Sequence, residues 1–189
     1  MKNRKFYSPL PKIIVMTMLL GIVGCLLLGV CYRFQKQPWQ FSMAITCGVI
    51  AYHMLIRFLS PVILQFIFHR QYDCRAWWFR QRKWEPALYR ILKVKKWKGK
   101  AMTYDPREFS LEMHSMEEIV NNMCHAEAVH KLIALLSFTS LFFVIPFGAF
   151  PVFLITAILA AALDLTFVII QRYNRPRVMR LIWILRERL

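Results

Sequence analysis

Apolar and polar positions are segregated along this chain into long blocks, not the short periods of soluble helices or strands. Residues 13–32, 41–68, 131–146 and 152–171 are near-continuous apolar runs. About 20 apolar residues at ~1.5 Å rise cover a hydrocarbon layer of ~30 Å, so these runs predict four transmembrane helices. The blocks between them are basic, aromatic or both. Residues 33–40 read as a short loop. Residues 69–100 interleave eleven Lys/Arg with Trp77, Trp78, Trp84, Tyr89 and Trp97. Such side chains favour the head-group layer, so the segment 75–100 predicts one or two interfacial amphipathic helices, divided at Pro86. A helix should open near Ser110 or Ser115, with Glu117 and Glu118 in its first turn, and run through Glu127 and His130 into the third span. Gly148 marks a tight turn over 147–151. Pro176 predicts the end of the fourth helix, displacing Arg175 from helical geometry. A separate amphipathic helix over 177–189 would then lie on the membrane surface. The expected fold class is all-α: a single integral membrane domain of about four transmembrane helices plus interfacial helices.

Composition supports this reading. Of 189 residues, 58% are hydrophobic and the mean hydropathy is +0.40, more apolar than soluble domains usually are. The formal charge of +16 lies between and beside the spans. That placement predicts membrane lipids and anionic soluble substrates as partners, and no nucleic acid. With the N-terminus inside, 23 of the 26 basic residues fall on inner segments, and the outer loops carry only Arg33 and Lys36. The positive-inside rule thus predicts a multi-pass cell-membrane protein with both termini cytoplasmic. Ile22-Val23-Gly24-Cys25 resembles a lipoprotein cleavage box, but apolar sequence continues through Leu26-Leu27-Leu28, so an uncleaved span is expected. The five cysteines form no CxxC pair, and neither a disulfide framework nor a metal site is predicted.

Several polar residues sit where lipid should exclude them. His53 and Arg57 share one helix face inside the second span. They form either a polar pocket or a snorkelling arginine beside a histidine bonded to a carbonyl. Asp164 lies within the fourth span, about two turns before Arg172. An acid there is costly unless paired or hydrated. Glu127 and His130 lie within about 60° of each other on one helix. A histidine beside a carboxylate can be held in one tautomer and act as a general base. His114, Glu118, Asn121 and His125 form another stripe, read as a solvated face or as a metal or second catalytic face. The basic-aromatic segment is either a membrane-adhering face or a phosphate-binding floor. The chain lacks His-x4-Asp, Gly-x-Ser-x-Gly, Asp-His-His-Cys, P-loop and His-Glu-x-x-His signatures, and only one Glu-x-x-His occurs.

Gln171-Arg172-Tyr173-Asn174-Arg175-Pro176-Arg177, followed by a hydrophobic-basic tail, resembles the C-terminal signature of the glycosyl-4,4'-diaponeurosporenoate acyltransferases. Ala126-Glu127-x-x-His130 and Lys95-Lys96-Trp97-Lys98 resemble two further blocks of that family, in the same order, so the likeness spans roughly residues 75–185. The chain departs from the family at Asn122 and Met123, where the family has an acid and threonine. It also departs at His125 (arginine in the family) and Asp164 (asparagine), and it lacks the Leu-Pro expected after Lys98.

The resemblance implies an O-acyltransferase of small carotenoid-pathway membrane enzymes. It would move a fatty acyl group from a cytoplasmic thioester donor to a hydroxyl of a glycosylated lipid, a glycosyl carotenoid-like acceptor. The co-substrate would be acyl-coenzyme A or acyl carrier protein, with no tightly bound cofactor. On this reading His130 is the base and Glu127 orients it, while Arg172, Arg175, Arg177, Lys95, Lys96 and Lys98 take the donor phosphate. Asn174, Asp164, Arg57 and His53 are structural or pocket polar residues. The alternative is a non-catalytic membrane protein that binds anionic lipid or scaffolds a lipid-modifying complex; a small lipid flippase is a third reading.

Arg57 and Asp164 each lie about 8–11 residues from the predicted cytoplasmic boundary, which suggests that they pair and cancel two costly charges. Breaking a buried pair costs ~3–5 kcal/mol. Asp164→Asn should therefore lower stability in detergent unfolding, and adding Arg57→Gln should restore part of it. Additive losses in the double variant would argue against the pair.

Overall fold

The computed structural model describes residues 8–101 and 103–188. The basic residues Lys2, Arg4 and Lys5, and Leu189 of the predicted terminal helix, lie outside the described residues. The helices are α1 (Leu10–Gln35), α2 (Pro38–Phe68), α3 (Glu85–Ile91), α4 (Val94–Trp97), α5 (Met116–Ser137), α6 (Val144–Phe147) and α7 (Phe150–Glu187). Short 3-10 turns occupy Lys98–Lys100, Pro106–Phe109 and Phe138–Phe143, and no strand occurs among the described residues. Four stretches are long and apolar enough to cross a membrane: α1, α2, Met116–Phe147 and α7. This is the all-α membrane fold expected from the apolar blocks.

The chain forms two compact units, one of residues 9–62 and 132–163, the other including 63–131 and 164–189. In the first, α1 is apolar on all sides and buries only Gly21. A Cβ at Gly21 would meet the Cys47 carbonyl oxygen at 2.9 Å and the Ala51 Cβ at 3.0 Å, so α1 and α2 touch almost backbone to backbone. Small residues allow such contacts in lipid, where packing replaces hydrophobic exclusion as the driving force. The α1–α2 connection shrinks to Lys36-Gln37, with Lys36 in the left-handed region (φ 56°). Tyr52 donates to the Leu136 carbonyl at 3.1 Å and stacks edge-on against Phe143. The buried hydroxyls of Ser60, Ser137 and Ser140 donate to carbonyls of their own helical segments, which satisfies them without water. Helical structure tightens to 3-10 over Phe138–Phe143, then ends at Gly148 (φ 68°), the turn predicted from sequence.

The second unit carries the polar chemistry. Its α5 opens with a capping box: Ser115 Oγ accepts from the Glu118 N–H at 3.2 Å, and Glu118 returns the bond to the Ser115 N–H at 2.7 Å. Of the stripe read as a solvated or metal-binding face, Glu118 is exposed, whereas Asn121 and His125 dock the segment after α2. Asn121 donates to the Arg70 carbonyl and accepts from the Tyr72 N–H, while His125 bonds the Tyr72 hydroxyl at 3.0 Å.

Three local expectations are corrected. Pro86 does not divide two helices; it starts α3, where its missing N–H costs nothing, and only turns precede it. Pro176 does not end the fourth helix, because α7 continues through it to Glu187. The proline removes one bond, but Arg177 donates its Nη1 to the Tyr173 carbonyl beside the gap, and tertiary anchors hold α7 on both sides. The stretch 177–187 is therefore the end of α7 and not a helix of its own. Cys74 and Cys124, 50 residues apart, are joined as a disulfide with Cα atoms 6.1 Å apart. No local spacing announces that pair; it arises because the 70–74 segment folds onto α5.

Gly21→Leu should destabilise the protein by ~1–3 kcal/mol through overpacking, whereas Gly29→Ala, which faces open space, should be neutral. Thermal unfolding of the two variants in matched detergent checks the contrast.

Candidate active site

The polar centre of the second unit is built on Glu127, which has no exposed surface. It stands on α5, and Lys131, one turn further on, reaches its Oε1 at 2.5 Å. From α7, Arg172 donates to the same oxygen at 2.7 Å and Arg175 donates to Oε2. The spacing of three places Arg172 and Arg175 on one face of α7. Glu85, on α3, is 2% exposed and takes the other side of the Arg172 guanidinium, with its Oε1 3.1 Å from Nε. Tyr89, one turn along α3, donates to Glu85 Oε2 at 2.5 Å.

A folded turn completes the arrangement. Asp73 accepts from the Arg75 N–H at 2.9 Å, and the Ala76 and Phe79 amides bond back to the Asp73 and Ala76 carbonyls. Backbone carbonyls of three successive residues then face the arginines. Trp78 and Arg80 accept from Arg172 at 2.9 and 2.6 Å, and Phe79 accepts from Arg175. The Phe79 ring also lies under the Arg175 guanidinium, 5.1 Å from its centroid. Charge is nearly balanced, with two carboxylates against Arg172, Arg175 and Lys131.

These contacts correct two expectations. Arg172 and Arg175 are not an open phosphate floor; their donors are committed to Glu85, Glu127 and carbonyls, and Arg175 is 1% exposed. Nor does Glu127 orient His130. The Nδ1 of His130 bonds Asp164 Oδ1 at 2.9 Å, and the imidazole stacks on Phe167, one turn past Asp164, at 4.7 Å between centroids. Asp164 is 1% exposed, while the His130 side chain keeps 24% of its surface. An ionised Asp164 can only accept from Nδ1, and His130 makes no other hydrogen bond among the described residues. The arrangement is a histidine–carboxylate dyad at a partly open edge.

The other expected residues separate into groups. Lys98 donates to Asn174 Oδ1 at 2.6 Å and lies over the Tyr173 ring, as does Arg177. Lys95 and Lys96 are exposed on α4. Arg57 donates to the His53 carbonyl at 2.8 Å in the other unit, where His53 is 6% exposed. Sequence reasoning missed Glu85, Tyr89, Lys131 and Phe167. Glu85 had a visible signal, being the single acid between Asp73 and Asp105 in the most basic part of the chain. The rest had none, since an aromatic or lysine at an interface is commonplace.

Burial acts to raise the Glu85 carboxyl, but hydrogen bonds from Arg172, Tyr89 and the Arg82 amide outweigh it and hold its pKa below the usual range. A depressed carboxylate stabilises the fold above its unfolded pKa of about 4.3, and that contribution is lost as pH falls through the lower folded value. Wild type should therefore lose stability on acidification below about pH 4.3 more steeply than Glu85→Gln, measured by thermal unfolding across pH. Glu127→Gln should cost ~3–5 kcal/mol at neutral pH, because it strands buried guanidinium charge.

Comparison with known proteins bears on what this site serves. No curated protein and no solved structure matches the chain. The family model described as glycosyl-4,4'-diaponeurosporenoate acyltransferase matches residues 75–183, which include the carbonyl turn, Glu85, Glu127, the His130–Asp164 dyad and both arginines. The match spans more than half of the 189 residues, and the chain belongs to the glycosyl-4,4'-diaponeurosporenoate acyltransferase family.

Proposed function

We propose that the protein transfers a fatty acyl group from a thioester donor to a sugar hydroxyl of a glycosylated carotenoid or closely related lipid. The observation that carries this reading is the His130–Asp164 dyad at 2.9 Å, lying within the residues matched by the acyltransferase family. Ester formation requires an alcohol to lose its proton as it attacks a carbonyl carbon. His130 takes that proton at Nε2. Asp164 holds the neutral tautomer by accepting from Nδ1–H and stabilises the imidazolium that forms. The alkoxide oxygen bonds to the thioester carbon, the C–S bond breaks, and the imidazolium returns its proton to the leaving thiolate. The products are an O-acyl lipid and a free thiol.

The remaining assignments follow from chemistry and charge. The donor is acyl-coenzyme A or acyl carrier protein, and it arrives from the cytoplasm, the side on which the basic segments and both termini fall by the positive-inside rule. Asp164 replaces the asparagine usual in the family. An asparagine Oδ1 also accepts from Nδ1–H, so the tautomer survives that exchange and only the charge stabilisation differs. The Glu127 network is the frame that holds α5 and α7 in register beneath the dyad.

His130→Ala should lower turnover by ~10²–10⁴-fold with abundance retained. Asp164→Asn should keep more of the rate per folded molecule than Asp164→Leu, because only the latter removes the acceptor. Lipidomics of membranes from a host supplying glycosylated carotenoid reads this directly. A new O-acylated species is expected with wild type and not with His130→Ala. Its absence, in the native host as well, would return the protein to the lipid-binding or scaffold reading.

A further inference from the structure

The second unit holds a basic cluster built unlike the Glu127 network. Lys98, in the turn after α4, points its ammonium at Asn174 Oδ1, 2.6 Å away, and over the Tyr173 ring at 4.9 Å from the centroid. Arg177 lies against the same ring with its guanidinium carbon 3.6 Å from the centroid. Tyr173 is fixed in place by Tyr89, Val94, Trp97 and Ile169, so the ring is a rigid platform for both cations. Among the described residues, no carboxylate forms an ion pair with Lys95, Lys98 or Arg177. Burial, then the neighbouring charges of Arg177 and Lys95, push the Lys98 ammonium below its ordinary pKa. Three cations are thus held near one another against repulsion, although the chain has ten acids to offer.

We infer that Lys98 and Arg177, assisted by Lys95, form a site for the phosphate ester of an anionic ligand, separate from the buried pair Arg172–Arg175. Each cation keeps donors in hand. Lys98 spends one of its three N–H groups on Asn174, and Arg177 spends one arm on the Tyr173 carbonyl. A phosphate dianion supplies several acceptor oxygens and relieves the mutual repulsion. Arginine engages it through paired hydrogen bonds and lysine as a point charge. The family's acyl-transfer reading supplies one source for this phosphate, the coenzyme of a soluble thioester donor, and the identification of that source rests on the reading given above. A phospholipid head group offers the same chemistry.

The test measures binding without turnover. Full-length protein is placed in nanodiscs of phosphatidylcholine, with or without phosphatidic acid, and titrated with adenosine 3′,5′-bisphosphate. Wild type should bind the nucleotide in phosphatidylcholine alone. Lys98→Gln and Arg177→Gln should each weaken binding about tenfold or more, while Lys98→Arg keeps it. Arg186→Gln, an exposed cation paired with Glu117, should bind as wild type does. Selective retention of phosphatidic acid, lost in the same two variants and accompanied by no nucleotide binding, would support the phosphate site and name the head group as its source. Equal binding by wild type and both glutamine variants in both arms, or no binding by wild type in either, would overturn the inference. Turnover is assayed separately, so nucleotide binding without any acyl product would sink the acyl-transfer reading and leave this site standing.

Discussion

The burial of one carboxylate organises the polar half of this protein. Glu127 has no contact with solvent, and a charge so placed is tolerable only when every lone pair is met. Arg172, Arg175 and Lys131 meet it, and this requirement aligns α5 with α7. Arg172 in turn recruits Glu85 and, with Arg175, the carbonyls of the 78–80 turn. One buried charge thereby orders three helices and a loop. A hydrophobic replacement of such a network at equal volume is often as stable, whereas removal of a single partner is costly because it leaves a buried charge uncompensated.

That frame gives the dyad its geometry. His130 is three residues beyond Glu127 on α5, and Asp164 is two turns before Arg172 on α7. Once the ion pairs fix the register of the two helices, the imidazole and the carboxylate fall within hydrogen-bond distance. The arginines that look most available for an anionic substrate are the ones consumed in building the frame. Lys98 and Arg177 gather instead on the Tyr173 ring, apart from the Glu127 network. Pro176 sits between the two sets without breaking α7, because Arg175 before it is anchored to Glu127 and the Phe79 carbonyl, and Arg177 after it donates back to the Tyr173 carbonyl.

Sequence determined what depends on neighbouring residues. The four apolar runs predicted helices that match α1, α2, the Met116–Phe147 stretch and α7, because exclusion from water acts on the block as a whole. Sequence placed the start of α5 at Ser110 or Ser115 with Glu117 and Glu118 in its first turn, and marked the turn at Gly148, because caps and left-handed turns are local chemistry; the capping bonds select Ser115. Asp164 could also be selected from sequence as an acid inside a span, Glu127 and His130 as a pair on one helix face, and the arginines as a basic block where the fourth apolar run ends. The family signature lies in the same stretches.

Tertiary structure alone decided which of these residues meet. Glu127 takes partners 45 and 48 residues away, and His130 takes one 34 residues away, although Glu127 and His130 share a helix face. Neighbours on a helix need not bond when a stronger donor arrives from elsewhere, and guanidinium groups outcompete an imidazole for a buried carboxylate. The pairing of Cys74 with Cys124 and the survival of α7 through Pro176 have the same origin. Each depends on contacts brought together by folding, and hydrophobic periodicity carries no record of them.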